Sequence, residues 1–155
     1  MTIELDALAH SASRVILASP RNLFRAFVDP EMLASWRAPE GMTATLAAFD
    51  PRPGGGYRMV LRYPEPGLGK TSSDSDVVEV RFAELAAEER IVELVTFTSD
   101  DPAFDGEMRL TTSFAPVADG TKVIMVADHV PPGIEQADHE AGMASSLRKL
   151  ALLTE

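Results

Sequence analysis

The three histidines, His10, His129 and His139, are the side chains best suited to proton transfer or metal binding, and they lie far apart in the sequence. His139 follows Glu135 by one helical turn, with Asp138 beside it. A helix puts Glu135 and His139 on one face and turns Asp138 away, so only two ligands converge where a stable site needs more. No metal is assigned there, and acids in the first turn of a helix suit its dipole without one. Asp128 and His129 form the other candidate, an acid and a base at the end of the last expected strand. Adjacent strand residues point to opposite faces, which argues against both reaching one substrate atom, and no catalytic residue is assigned.

Other chemistries are excluded more simply. The chain has no cysteine, which removes disulfides, thiolate metal sites, iron–sulfur clusters and cysteine nucleophiles together. No Ser/His/Asp arrangement or phosphate loop stands out, and Gly54-Gly55-Gly56 leads into a strand pattern rather than a helix, so it is not a nucleotide-binding turn. No cofactor is implied. With 24 acidic against 14 basic residues, a formal net charge of -10, the chain's field repels phosphate backbones and anionic headgroups. Nucleic acid is therefore not an expected partner. No stretch approaches the roughly 18 apolar residues of a membrane span, so no membrane insertion is expected. Met1 to His10 lack the basic-then-apolar pattern of a secretory signal, and the expected location is cytoplasmic.

What remains is a set of apolar residues, and the elements that carry them can be read in order. With 45% hydrophobic and 25% charged residues the 155-residue chain has the composition of a folded globular protein, expected to form a single domain over 1–155. Arg14 to Ala18 reads as a strand, and Ser19-Pro20 caps and opens a helix carrying Leu23, Phe24, Phe27 and Val28. Asp29-Pro30 stops that helix and starts a second through Met32, Leu33 and Trp36. From Met42 to Phe49 the period becomes two, and Asp50 to Gly56 is turn chemistry throughout.

Tyr57, Met59, Leu61 and Tyr63 then alternate with Arg58, Val60 and Arg62, a strand with its apolar set inward and its arginines outward. A polar loop follows from Pro64 to Asp74. Val78, Val80 and Phe82 mark the next strand, Ala87-Glu88-Glu89 turns it into Arg90 to Ser99, and Asp119-Gly120 joins Glu107 to Pro116 with Thr121 to His129. In Arg90 to Ser99 the inward face is undecided, because Glu93 and Thr96 interrupt both alternations. Ile134 to Leu153 reads as one long helix with a stripe of Ala137, Met143, Ala144, Leu147, Leu150 and Leu153. The fold class is α+β: a curved antiparallel sheet of about seven strands gripping a long C-terminal helix, with two short helices after the first strand. Such a sheet leaves a space beneath its helix, where a ligand would sit.

The chain resembles the activator-of-heat-shock-protein-90-ATPase-homologue-like branch of the START and birch-pollen-allergen superfamily, from about Arg14 to Leu153. Ala18-Ser19-Pro20-Arg21-Asn22-Leu23-Phe24-Arg25-Ala26-Phe27 is similar to the family's first strand and helix, and Asp29-Pro30 through Leu33-Ala34-Ser35-Trp36 to its second helix with its tryptophan. Arg52-Pro53-Gly54-Gly55-Gly56-Tyr57-Arg58 resembles its Pro-Gly-Gly turn, Gly120-Thr121-Lys122-Val123 its Gly-Thr turn, and His139 to Leu150 the start of its last helix. One departure is Met143, which stands after the glycine of that helix where the family commonly has tryptophan. The resemblance implies the helix-grip fold and a hydrophobic pocket.

The leading expectation is binding of a small hydrophobic or amphipathic molecule in that pocket. Its lining is expected to comprise Trp36, Tyr57, Met59, Leu61, Val80, Phe82, Met108, Leu110, Met125, Met143 and Leu147, with Thr112 or Tyr63 fixing orientation. A second expectation is an enzyme of hydrolase, cyclase or dehydratase type in the same cavity, using Asp128, His129 or a tyrosine. A third is an interaction protein acting on a chaperone or another protein partner through its acidic exterior. Exposed strand edges would allow a homodimer.

Overall fold

The computed structural model describes residues 9–63 and 75–155; Met1 to Leu8 and the polar loop expected at Pro64 to Asp74 lie outside the described residues. Strand β1 (His10–Ile16) is followed by helices α1 (Pro20–Val28) and α2 (Pro30–Arg37). Strands β2 (Thr43–Asp50), β3 (Gly56–Arg62), β4 (Ser75–Ala86), β5 (Arg90–Phe97), β6 (Glu107–Val117) and β7 (Gly120–Asp128) come next, and helix α3 (Gln136–Thr154) ends the chain. The described strands form a seven-stranded sheet in the order β1-β7-β6-β5-β4-β3-β2. Every pairing is antiparallel. The sheet is thus a meander from β2 to β7, with β1 returning to the free side of β7.

Local chemistry sets the helix starts. Ser19 accepts a hydrogen bond from the Asn22 amide at 3.1 Å, and Asp29 accepts from Glu31 and Met32, each cap being followed by a proline in the first turn. Ladder irregularities between Ala47 and Asp50 and between Phe82 and Glu84 bend β2 and β4. Gly56 is required where β3 crosses β4, because a Cβ there would stand 1.8 Å from the Val80 carbonyl oxygen.

Several boundaries differ from the sequence reading. β1 begins at His10 and ends at Ile16, rather than spanning Arg14 to Ala18, because its pairing with β7 recruits His10 to Ser13 although they carry no strand pattern. β4 runs well beyond Val78–Phe82 on both sides, held between two partner strands. α3 starts at Gln136, two residues after Ile134, which instead packs as a buried anchor. The buried face of α3 is Met143, Ser146, Leu147, Leu150 and Ala151, whereas Ala137, Ala144 and Leu153 are exposed. On β5 the inward residues are Ile91, Glu93, Val95 and Phe97, so the buried acid, not the alternation of apolar residues, was the ambiguous sign.

Side chains on the concave face divide it into two regions. At one end Trp36, Phe27, Phe114, Ile91 and Phe82 are nearly inaccessible, with Phe27 edge-on to both Trp36 and Phe114. The C-terminal half of α3 closes over this end with Leu147, Leu150 and Ala151. α3 runs closest to β1 and is flanked by α1 and α2. Its N-terminal half spans the other end, where the sheet bears Met59, Val78, Val95 and Met108 and the packing opens.

Candidate functional site

That open end is a cavity of about 590 Å³. Its floor is the concave face of β3 to β7, its roof is Gly133 to Glu135 with the first turns of α3, and Arg37, Pro39 and Met42 form the side wall after α2. Gly133 lets the roof segment approach the β5–β6 connection: its amide donates to the Ala103 carbonyl at 2.7 Å, and a Cβ would meet Ala103 and Phe104 at 2.9 Å. The residue types around the space are mainly aliphatic and thioether side chains.

Of the residues expected to line a pocket, Met59, Leu61, Val80, Met108, Leu110, Met125 and Met143 border this cavity. Trp36, Tyr57, Phe82 and Leu147 are not at its wall. Trp36 is fully buried and donates from Nε1 to the Ala26 carbonyl at 2.9 Å, which fixes it in the closed core. Phe82 packs on Phe49 and Tyr57, and Leu147 lies under the closed half of α3. Sequence alternation identifies which residues point inward, but not at which end of the sheet the helix lifts away. Of the two groups expected to orient a ligand, Tyr63 borders the cavity and donates to Asp76 at 2.6 Å, whereas Thr112 is fully buried behind it.

Arg37, which the sequence reading did not single out, forms the boundary between cavity and closed core together with Glu93 and Tyr57. Nη2 of Arg37 donates to Oε1 of Glu93 at 2.8 Å, and the Tyr57 hydroxyl donates to Oε2 of the same carboxylate at 2.7 Å. Arg37 and Glu93 are 9% and 1% exposed, which makes this a buried ion pair. Burial works against the guanidinium charge, but the Glu93 carboxylate outweighs it and holds Arg37 above its ordinary value. Burial pushes the Tyr57 phenol well above its usual range, so it remains a donor. The Arg37 carbonyl accepts from Ser146 of α3 at 2.7 Å, fastening the end of α2 to the helix. The signal available in the sequence was Glu93 itself, an acid on the inward register of a strand that pairs on both sides.

The histidine candidates are placed differently from one another. His139 borders the cavity, and its Nδ1 lies 2.9 Å from Nδ1 of His10 on β1. The Ser11 amide donates to Glu140 at 2.9 Å alongside, and this bond, with one from Gln136, holds the Glu140 carboxyl below its usual value. Together they dock the first turns of α3 on the edge strand. Among the described residues no three histidines or acids gather as metal ligands. Asp128 and His129 are 2.5 Å apart but away from the cavity wall, and Arg109 grips Asp128 from β6 at 2.9 Å. Partial burial opposes the Asp128 charge, and the hydrogen bonds from Arg109 and His129 overcome it, holding the carboxyl below its usual value. Arg58 and Arg62 project outward.

Among the described residues no helix is long and apolar enough to cross a membrane. Comparison with solved structures places the chain beside protein CV1439 from Chromobacterium violaceum, with 31% sequence identity, a TM-score of 0.82, and coverage of 95% of this chain and 97% of that one. A protein from Rhodobacter sphaeroides matches with 23% identity and a TM-score of 0.75, covering 95% and 91% of the two chains. DynU16, a putative protein in the dynemicin biosynthetic locus, matches with 18% identity and a TM-score of 0.67, covering 94% of this chain and 46% of its own. The last two likenesses show the helix-grip fold. No curated protein matches the chain. The sequence profile described as activator of Hsp90 ATPase homolog 1-like protein matches residues 17–155, nearly the whole chain and all of the cavity's walls, and the chain therefore belongs to that family.

Proposed function

We propose that the chain binds a small, largely apolar molecule in the cavity between the sheet and the N-terminal half of α3. The observation that carries this reading is the cavity itself. At about 590 Å³ it falls within the range typical of small-molecule pockets, whereas ordinary interiors keep few voids larger than a water. Its methionines, Met42, Met59, Met108, Met125 and Met143, provide a deformable apolar wall that fits varied shapes. Affinity comes from burying apolar area, and the molecule is met in the cytoplasm.

Native mass spectrometry of the purified protein, followed by denaturing extraction, tests this directly. A co-purifying apolar molecule, or saturable uptake of an added one that perturbs Met59 and Met108 methyl signals, is the expected result. A protein that takes up no apolar molecule at all would overturn the reading.

Asp76 and His139 at the wall favour a second reading, acid–base chemistry on the bound molecule. It places the reacting groups on β4 and α3, away from Asp128 and His129. Turnover of a bound compound that is abolished by His139→Gln with binding retained would support it.

A further inference from the structure

Arg37 stands in the cavity wall with hydrogen-bonding capacity that the described residues do not use. Its Cζ lies 5.4 Å from the Trp36 ring centroid and 6.0 Å from that of Phe27, so aromatic faces support the guanidinium. Nη2 is engaged by Glu93, whose second oxygen is already taken by Tyr57. Nη1 is buried and has no hydrogen-bond partner among the described residues. A guanidinium offers five N–H donors, and a ring face attracts its charge without supplying a directed acceptor for them. Buried donors without acceptors are destabilising and uncommon in folded proteins. A ligand held in the adjacent cavity would supply the missing acceptor.

We propose that the molecule bound in this cavity carries a neutral carbonyl-type oxygen, as in a ketone, ester or amide, on an apolar body, and that this oxygen accepts from Arg37 after a small turn of the guanidinium toward the cavity. The inference rests on the ligand-binding reading above and specifies the class of molecule. Neutrality follows from the charges present. Glu93 already balances Arg37, and the other acids at the wall, Asp76, Glu135 and Asp138, add no attraction for an anion. A carboxylate would lose its hydration for a partner whose charge is already compensated, while a neutral oxygen supplies the acceptor alone. The surroundings of the pair are apolar: Leu110 lies opposite Glu93 in the ladder, and Val80 pairs with Val95 one inward step away.

The test uses three probes of one shape, 2-acetonaphthone, its hydrocarbon isostere 2-isopropenylnaphthalene and the anion 2-naphthoate, each titrated by calorimetry into the full chain. The ketone is expected to bind about tenfold more tightly than the hydrocarbon, the size of one hydrogen bond to a charged donor, and also more tightly than the naphthoate. In the double variant Arg37→Met/Glu93→Met, which removes both charges together and so avoids a stranded one, the ketone and hydrocarbon should bind alike. Equal binding of ketone and hydrocarbon to the parent protein, or tightest binding of the naphthoate, overturns this inference and leaves the cavity reading standing. Binding of none of the three, together with an empty extraction, overturns both.

Discussion

The Tyr57 hydroxyl meets the Glu93 carboxylate at 2.7 Å on neighbouring inward rows of the sheet, and with Arg37 on the other oxygen this contact leaves both carboxylate oxygens satisfied. The two partners of Glu93 are not equivalent. Glu93→Ala strands the Arg37 charge in a buried site and is expected to cost about 3–5 kcal/mol, whereas Tyr57→Phe removes one hydrogen bond to a charged group and should cost about 1.5–3 kcal/mol. Urea denaturation of both variants measures the order. If Tyr57→Phe proves the more damaging, the ion pair is not what Tyr57 supports.

Two glycines should respond oppositely to the same substitution. Gly56→Ala places a Cβ 1.8 Å from a backbone oxygen of β4 and is expected to destabilise by at least about 1–3 kcal/mol, because backbone cannot give way as a side chain can. Gly142→Ala on α3 meets nothing nearer than Pro39 Cγ at 3.6 Å and should stabilise by about 0.5–1 kcal/mol through helix propensity. Thermal unfolding of the pair checks both signs.

Acid should weaken the fold. Asp128 and Glu140 are both held below their usual values, as are Asp50 beside Arg52 and Glu84 beside Arg90. A carboxyl depressed in the folded state contributes stability above its unfolded value, near 3.9–4.3, and loses it as pH falls through the folded one. The urea midpoint is therefore expected to fall from about pH 5 downward. Arg109→Ala should shallow that fall by letting Asp128 return toward its ordinary value; an unchanged slope would show that the Arg109 contact does not set it.

Met143→Trp projects bulk from α3 toward the cavity. Overpacking costs about 1–3 kcal/mol where an interior is full, and here it should cost less than about 1 kcal/mol because there is space to enter. Uptake of 2-acetonaphthone should fall by about tenfold or more. A variant that loses stability without losing uptake would place Met143 in the closed core rather than at the cavity.

The sequence was most informative where one physical signal dominated. Prolines after Ser19 and Asp29 announced both short helices, and alternation in β3 identified Tyr57 and Met59 as inward residues. It was silent where tertiary pairing decides the outcome. His10 to Ser13 belong to a strand only because β7 offers them partners, and Glu93 is inward because Arg37 and Tyr57 arrive from α2 and β3 to satisfy it. The cavity could be anticipated from a curved sheet gripping a helix, but which inward residues border it depends on where α3 rises from the sheet. That separates Met59 from its near neighbour Tyr57, and Met143 from Leu147 one turn later.

The split concave face also bears on how such a chain can change over generations. Residues that hold the fold, from Trp36 to Leu150, are concentrated under one half of α3, and those that border the cavity lie under the other. Substitutions that add bulk in the hollow half enter an unfilled volume and so cost the fold less than the same change in the closed half. A lineage built on this scaffold can therefore exchange one small-molecule preference for another while the closed half stays fixed, with the Arg37–Glu93 pair as the hinge point between inheritance and novelty.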